Sequence, residues 1–174
     1  MGRVIKHTGE TMDTQTESAA KLRAYARGEM TWAEVEGMTF EEAKAIAQVG
    51  CDLAAAGRLE EARVLFEGLV EGNPLDTAAR AALGTVYQKL GRSQDALAEY
   101  NAVLERDPKN PVALGNRGEL HLKLGNREGF NDLAQAVEAD PEGLTAAGRR
   151  ARALVKAIAL GAVERFHGQG PEKA

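Results

Sequence analysis

Cysteine is all but missing from this chain: Cys51 is the single one in 174 residues. No internal disulfide can form, and a reducing compartment fits. No apolar run approaches the roughly 18 residues that would mark a membrane span. The first residues, MGRVIKHTGETMDTQTES, hold no apolar stretch of the kind a secretory signal needs, and a cytoplasmic protein without membrane insertion is the expectation. An excess of positive charge is lacking as well. Lys and Arg number 22 against 26 Asp and Glu, a formal net charge of −4. Nucleic acid is therefore not an expected partner, because the phosphate-neutralising term that supplies most of such binding is absent. The densest basic cluster, Arg149, Arg150, Arg152 and Lys156, reads as the solvated face of one late helix.

Groupings that would carry chemistry are equally scarce. The three histidines are His7, His121 and His167, and none stands at metal-ligand spacing from a cysteine or carboxylate. His121 reads as a packed or surface imidazole. Cys51 has no neighbour in sequence that would activate a nucleophile and reads as a small buried thiol. LGNRG at Leu114 to Gly118 falls inside a helical pattern and lacks the Gly-Lys-Ser/Thr ending of a phosphate loop. No catalytic residue, metal or cofactor is predicted, and the chain is not expected to be an enzyme.

What is present is a repeat. Gly50, Gly84 and Gly118 lie 34 residues apart, and Gly57, Gly91 and Gly125 keep the same interval. Ala62 and Ala96, Phe66 and Tyr100, and Pro74 and Pro108 repeat it. Pro141 comes one residue early, so the third unit has lost a residue after Gly125. Each unit reads as two helices. In the second, Leu83, Val86, Tyr87 and Leu90 recur at helical spacing and Gly91 closes the helix. Ala96, Tyr100, Val103 and Leu104 then form the inner stripe of the partner helix, which DPKNP breaks. Pro111 suits the first position of the next helix, where no N–H is needed. Strict alternation of β-branched residues is missing, so strands are not predicted. Gly84 and Ala96 are expected where the two helices cross, because a mid-helix Gly costs about 1 kcal/mol relative to Ala unless close approach returns it. In the third unit His121 stands at the Tyr position and Gly129 at the Ala position, and a looser helix pair is expected there.

LGTVY, with Leu83, Gly84 and Tyr87, followed by Ala96, Tyr100 and Pro108, resembles the tetratricopeptide repeat. The implied fold is all-α: a solenoid of three helix-turn-helix repeats, about 43–76, 77–110 and 111–143, within 41–142. A helical extension over 14–38 precedes it and a capping helix over 143–167 follows. Segments 1–13 and 168–174 are expected to be disordered. Thr31 and Thr39 open helices as capping boxes, TWAE and TFEE. Leu144, Ala147, Ala151, Leu154, Val155, Ile158 and Ala162 form the inner stripe of the cap, and Arg149, Arg152 and Lys156 its polar outer side.

In the tetratricopeptide register the first helix of each unit lines a concave groove. The candidate groove residues are Lys44, Ala47, Cys51 and Ala54 in unit one, and Ala78, Ala81, Thr85 and Gln88 in unit two. Val112, Gly115, Glu119 and Leu122 complete them in unit three. They are mostly small and neutral, which makes room for an extended peptide carrying its own apolar anchors; equally, alanine is there because it is a good helix former. The clamp with which one tetratricopeptide subset holds C-terminal carboxylates falls on Ala47, Cys51, Ala82, Val112 and Asn116, of which only Asn116 is of the expected kind. That clamp is not predicted.

The segment ARGEMTWAEVEGMTFEEAKAIAQVGCDLAAAGRLEEARVLFEGL resembles the entry region of the class II chaperones of bacterial type III secretion, and the similarity runs from about Ser18 to Leu160. The resemblance implies a cytoplasmic bacterial chaperone that keeps a hydrophobic translocator soluble by holding an extended segment of it in the groove. It also implies a homodimer made through residues 14–38. Aromatic residues common in the first groove helix of that family are replaced by Ala47, Val49, Cys51 and Ala54, so apolar anchors would come from the client. A tetratricopeptide scaffold in another bacterial assembly is the alternative.

Overall fold

The computed structural model describes residue 17, residues 20–25 and residues 27–168, with side chains placed as far as residue 161. Segments 1–13 and 169–174, and the side chains of His167 and Ala162, lie outside the described residues. No strand occurs among those described. Residues 20–25 are helical and end at Gly28, whose φ of 71° lets the chain reverse. Eight helices follow: α1 (Trp32–Val35), α2 (Phe40–Ala55), α3 (Leu59–Gly72), α4 (Thr77–Lys89), α5 (Ser93–Arg106), α6 (Pro111–Lys123), α7 (Gly129–Ala139) and α8 (Ala146–Gly168).

Short polar side chains start the first helix of every unit. Thr39 and Glu42 form a reciprocal capping box, as do Thr31 and Glu34 at α1. Asp76 accepts from the N–H groups of Ala78 and Ala79, and Asn110 from those of Val112 and Ala113. The same helices end on Gly57, Gly91 and Gly125, at φ of 80°, 76° and 79°. The N–H one residue later returns to a helix carbonyl each time, as from Arg92 to Tyr87 at 2.9 Å.

The helices pair α2 with α3, α4 with α5 and α6 with α7, and each second helix also packs on the next unit's first. Successive first helices touch, whereas α3, α5 and α7 do not touch one another. The array therefore curves with α2, α4 and α6 on its inner side. The core runs through Ala62, Phe66, Leu83, Val86, Ala96, Tyr100 and Val103 and continues at Leu114, Leu133 and Ala136.

The crossing glycines are packed against the partner helix. A Cβ on Gly50 would stand 2.9 Å from the Phe66 ring, and one on Gly84 2.6 Å from that of Tyr100. In the third unit Gly118 faces Leu133 and the Gly129 carbonyl at 3.0 Å. A Cβ on Gly129 would meet the Gly118 carbonyl at 2.5 Å. The looser third pair expected from sequence is thus corrected. Two facing glycines bring α6 and α7 close, and Arg117 holds Asp132 through bonds of 2.8 and 2.7 Å.

The cap begins at Ala146. Asp140 accepts from the N–H groups of Leu144 and Thr145, and Thr145 Oγ1 accepts from Gly148 N–H. Ala147 and Ala151 are buried, and Leu154, Val155 and Ile158 are half-buried. Leu144, expected in that stripe, is exposed because it precedes the helix. Arg149 and Arg152 donate to carbonyls of the preceding loop.

Candidate binding cleft

Where α1 lies against α3, it closes one side of the inner face. Ala33 packs on Gly72, whose hypothetical Cβ would be 3.1 Å from the Ala33 Cβ. Between α1, α2 and the start of α4 this leaves a cleft of about 490 Å³. Ala43, Ala47 and Cys51 form the α2 wall, and Ala78, Ala79 and Ala82 the α4 wall. Phe66 and Leu69 from α3 are at its floor, and Met38 and Phe40 stand at its entrance. Phe40 is 78% exposed. The surface has width for side chains because, apart from Lys44 and the entrance residue Phe40, the residues that α2 and α4 turn to it are small.

The charged lining residues are Glu34, Asp76 and Lys44. Lys44 Nζ lies 3.9 Å from Glu41. Hydrogen bonds from the Thr31 N–H and hydroxyl hold the Glu34 carboxyl below its ordinary range. The rim is therefore net acidic.

Of the candidate groove residues, the structure brings Lys44, Ala47, Cys51 and Ala78 to this cleft. Cys51, expected to be buried, is exposed: it sits on the open side of α2, away from the α3 contact that Gly50 makes. Val49 is exposed as well and does not line the cleft. Ala54 is half-buried against the core, and its carbonyl accepts from Lys89 at 3.3 Å.

The rest of the list is distributed differently. Ala81 is buried, and its carbonyl accepts from the Thr85 hydroxyl at 2.9 Å. Thr85 in turn accepts from Asn116 Nδ2 at 3.0 Å, and Gln88 accepts from the Tyr100 hydroxyl at 2.8 Å. Burial pushes that phenol up to about 12. Val112 packs against the main core. Gly115 does not line an open groove: its hypothetical Cβ would be 3.2 Å from the Cβ and carbonyl oxygen of Ala147, because α8 lies across α6. Glu119 pairs with Arg150 at 2.8 Å, and Arg150 also donates to Asn116 at 2.6 Å. Leu122 points at α7, where it would meet a Cβ on Gly129 at 2.8 Å. The inner face of unit three is thus occupied by the chain's own cap.

Sequence reasoning missed Ala33, Met38, Phe66 and Leu69 as cleft residues. Ala33 and Met38 lie outside the 34-residue period, and only the docking of α1 on α3 brings them in. Among the described residues no group of three or more His, Cys, Asp or Glu is placed to hold a metal. No helix among them is long and apolar enough to cross a membrane.

The tetratricopeptide repeat family model matches residues 53–114. No curated protein sequence matches the chain. Solved structures do. A type III secretion complex from Aeromonas hydrophila is 20% identical, covers 80% of this chain and 95% of its own, and has a TM-score of 0.70. The Yersinia enterocolitica type III secretion chaperone SycD, in complex with a peptide of the translocator YopD, is 20% identical over 71% of this chain and 97% of its own, at TM-score 0.62. PcrH from Pseudomonas aeruginosa is 23% identical over 70% and 94%, at TM-score 0.62. The period, the caps, the crossing glycines and these matches agree that the chain carries tetratricopeptide repeats and has the fold of type III secretion translocator chaperones.

Proposed function

We propose that the chain is a non-catalytic chaperone of the bacterial cytoplasm, holding an extended segment of a hydrophobic secreted client in its inner cleft. The observation that carries this reading is the apolar cleft itself. Its walls are alanines and a cysteine, its floor is Phe66 and Leu69, and Phe40 stands exposed at its mouth. An opening of about 490 Å³ with small walls takes side chains supplied by a partner in extended conformation. A client with large exposed apolar stretches aggregates unless they are covered. SycD, with the same fold, is seen with a translocator peptide. Lys44, Ala47, Cys51 and Ala78 are the contact residues assigned by this reading.

A homodimer through residues 14–38 belongs to the same proposal. Leu22, Tyr25 and Trp32 are exposed there, with the Tyr25 and Trp32 rings edge to face at 5.5 Å.

Co-expression with a membrane-active secreted protein of the same bacterium tests the reading. The expected result is a soluble complex that forms with the wild-type chain and is lost with Cys51→Glu. A client equally soluble without the chain, or a complex indifferent to Cys51→Glu, overturns it. Co-purification with a subunit of a soluble assembly instead marks a scaffold.

A further inference from the structure

The cleft is apolar inside and acidic at its rim, and the chain itself contains a segment of the complementary pattern. Residues Arg3-Val4-Ile5-Lys6 place two β-branched apolar side chains between two cations. The cleft offers alanine walls for the apolar pair, with Glu34 and Asp76 among its lining residues and Glu41 beside Lys44. Among the described residues Lys44 is the one cation lining it, with its Nζ 3.9 Å from Glu41. Oppositely charged flanks fix the register of such a segment and disfavour partners of the wrong sign.

Eleven residues lie between Ile5 and Glu17, and extended chain spans about 3.3–3.6 Å per residue, so the twelve steps reach about 40 Å. Helix α2, which runs along the cleft, has 16 residues, about 24 Å at 1.5 Å per residue. A tether of this length holds its end at roughly millimolar effective concentration. A contact too weak to matter between separate molecules is then sufficient.

We propose that the N-terminal segment around Val4 and Ile5 of this same chain docks in the cleft between α1, α2 and α4 and shields it until a client displaces it. The proposal deepens the chaperone reading and rests on it for the word client, but the docking itself is measured without one.

Cys51 supplies the reporter, being the single cysteine of the chain, exposed, and in the wall of the cleft. Its alkylation by a bulky maleimide is followed in the full chain, in a chain lacking residues 1–16, and in full-length Ile5→Asp, with no client present. The full chain should react about tenfold more slowly than the truncated one, a ratio equal to 1.4 kcal/mol of docking. Ile5→Asp should react like the truncated chain, and added salt should speed the full chain, because the flanking contacts are exposed charges. Protection should be independent of protein concentration.

Equal rates in the three proteins overturn the proposal. So does protection that grows with protein concentration, which would place a second copy in the cleft. If the truncated chain does not fold, Ile5→Asp against wild type decides alone. Failure here leaves client capture standing, and loss of client capture leaves the alkylation result standing.

Discussion

The Tyr100 ring fills the space that a side chain on Gly84 would need, with its Cε1 2.6 Å from the place of the missing Cβ. Tyr100 has no accessible surface, and its hydroxyl donates to Gln88. The ring is therefore fixed from both ends and cannot yield. This pair sets the distance between α4 and α5, and its counterpart, Gly50 against Phe66, sets that between α2 and α3.

A matched pair of glycine substitutions follows. Gly84→Ala gains about 1 kcal/mol of helix propensity but loses about 1–3 kcal/mol to overpacking, so the melting temperature should fall. Gly68, inside α3, is exposed and has nothing within 4 Å of its hypothetical Cβ. Gly68→Ala should raise the melting temperature, with a gain of about 0.5–1 kcal/mol in urea unfolding. Equal shifts in both variants would contradict the crossing geometry.

Asn116 is 3% exposed and joins units two and three to the cap. It donates to Thr85 and accepts from Arg150. Asn116→Ala removes both of these bonds, although Thr85 keeps Ala81 and Arg150 keeps Glu119, and at about 0.5–1.5 kcal/mol per bond it should cost about 1–3 kcal/mol. Denaturant melts should show the loss, and the cap should become more accessible to protease than in wild type.

Asp140 gives the fold a pH dependence at its C-terminal end. Hydrogen bonds from Thr145 N–H, the Thr145 hydroxyl and Leu144 N–H hold its carboxyl below the ordinary aspartate range. A carboxyl whose pKa is depressed by folding stabilises above its unfolded pKa, about 3.9, and loses that contribution as pH falls through the folded value. Wild type should therefore exceed Asp140→Asn in melting temperature at pH 7 by more than it does at pH 3. A difference that stays constant over that range would remove Asp140 from the acid response.

Charge placed in the cleft should separate binding from stability. Ala47→Glu and Cys51→Glu should abolish client capture, and Cys51→Glu should leave the melting temperature within about 2 °C, because Cys51 is exposed and substitutions outside the packed core change stability little; Ala47 packs against the core. Ala81→Glu should instead lower stability, since Ala81 is buried. Capture unaffected by either cleft variant would move the contact elsewhere.

Deleting residues 14–38 removes α1 and the exposed Leu22, Tyr25 and Trp32. Sedimentation should show a monomer, with the repeats still helical by circular dichroism. An unchanged size would exclude this segment from the dimer contact.

Much of the fold was legible because the repeat is carried by backbone requirements. Gly57, Gly91 and Gly125 recur where only φ near +80° closes the helix, and Thr39, Asp76 and Asn110 recur where a short acceptor starts the next first helix. Such positions announce themselves in sequence because few residues satisfy them. The third pair departs from the looser packing expected of it because Gly129, at the alanine position, is itself a packing device. Facing Gly118, it allows a closer approach than alanine would.

The candidate site was only half legible. Periodicity places Lys44, Ala47, Cys51 and Ala78 on the inner side of their helices, and the cleft contains them. Gly115, Glu119 and Leu122 have the same register, yet α8 and α7 claim them. Period fixes the direction in which a side chain leaves its helix, and neighbours decide whether that direction is open.

The sequence by itself determined the repeat period, the all-α class and the packing role of Gly50, Gly84 and Ala96, since these follow from local dihedral and volume constraints. Tertiary structure alone decided where the inner face is open. The docking of Ala33 on Gly72 walls the cleft at one end, and the seating of Ala147 and Arg150 on α6 covers the other. Both are contacts between segments that share no period, so no spacing along the chain encodes them.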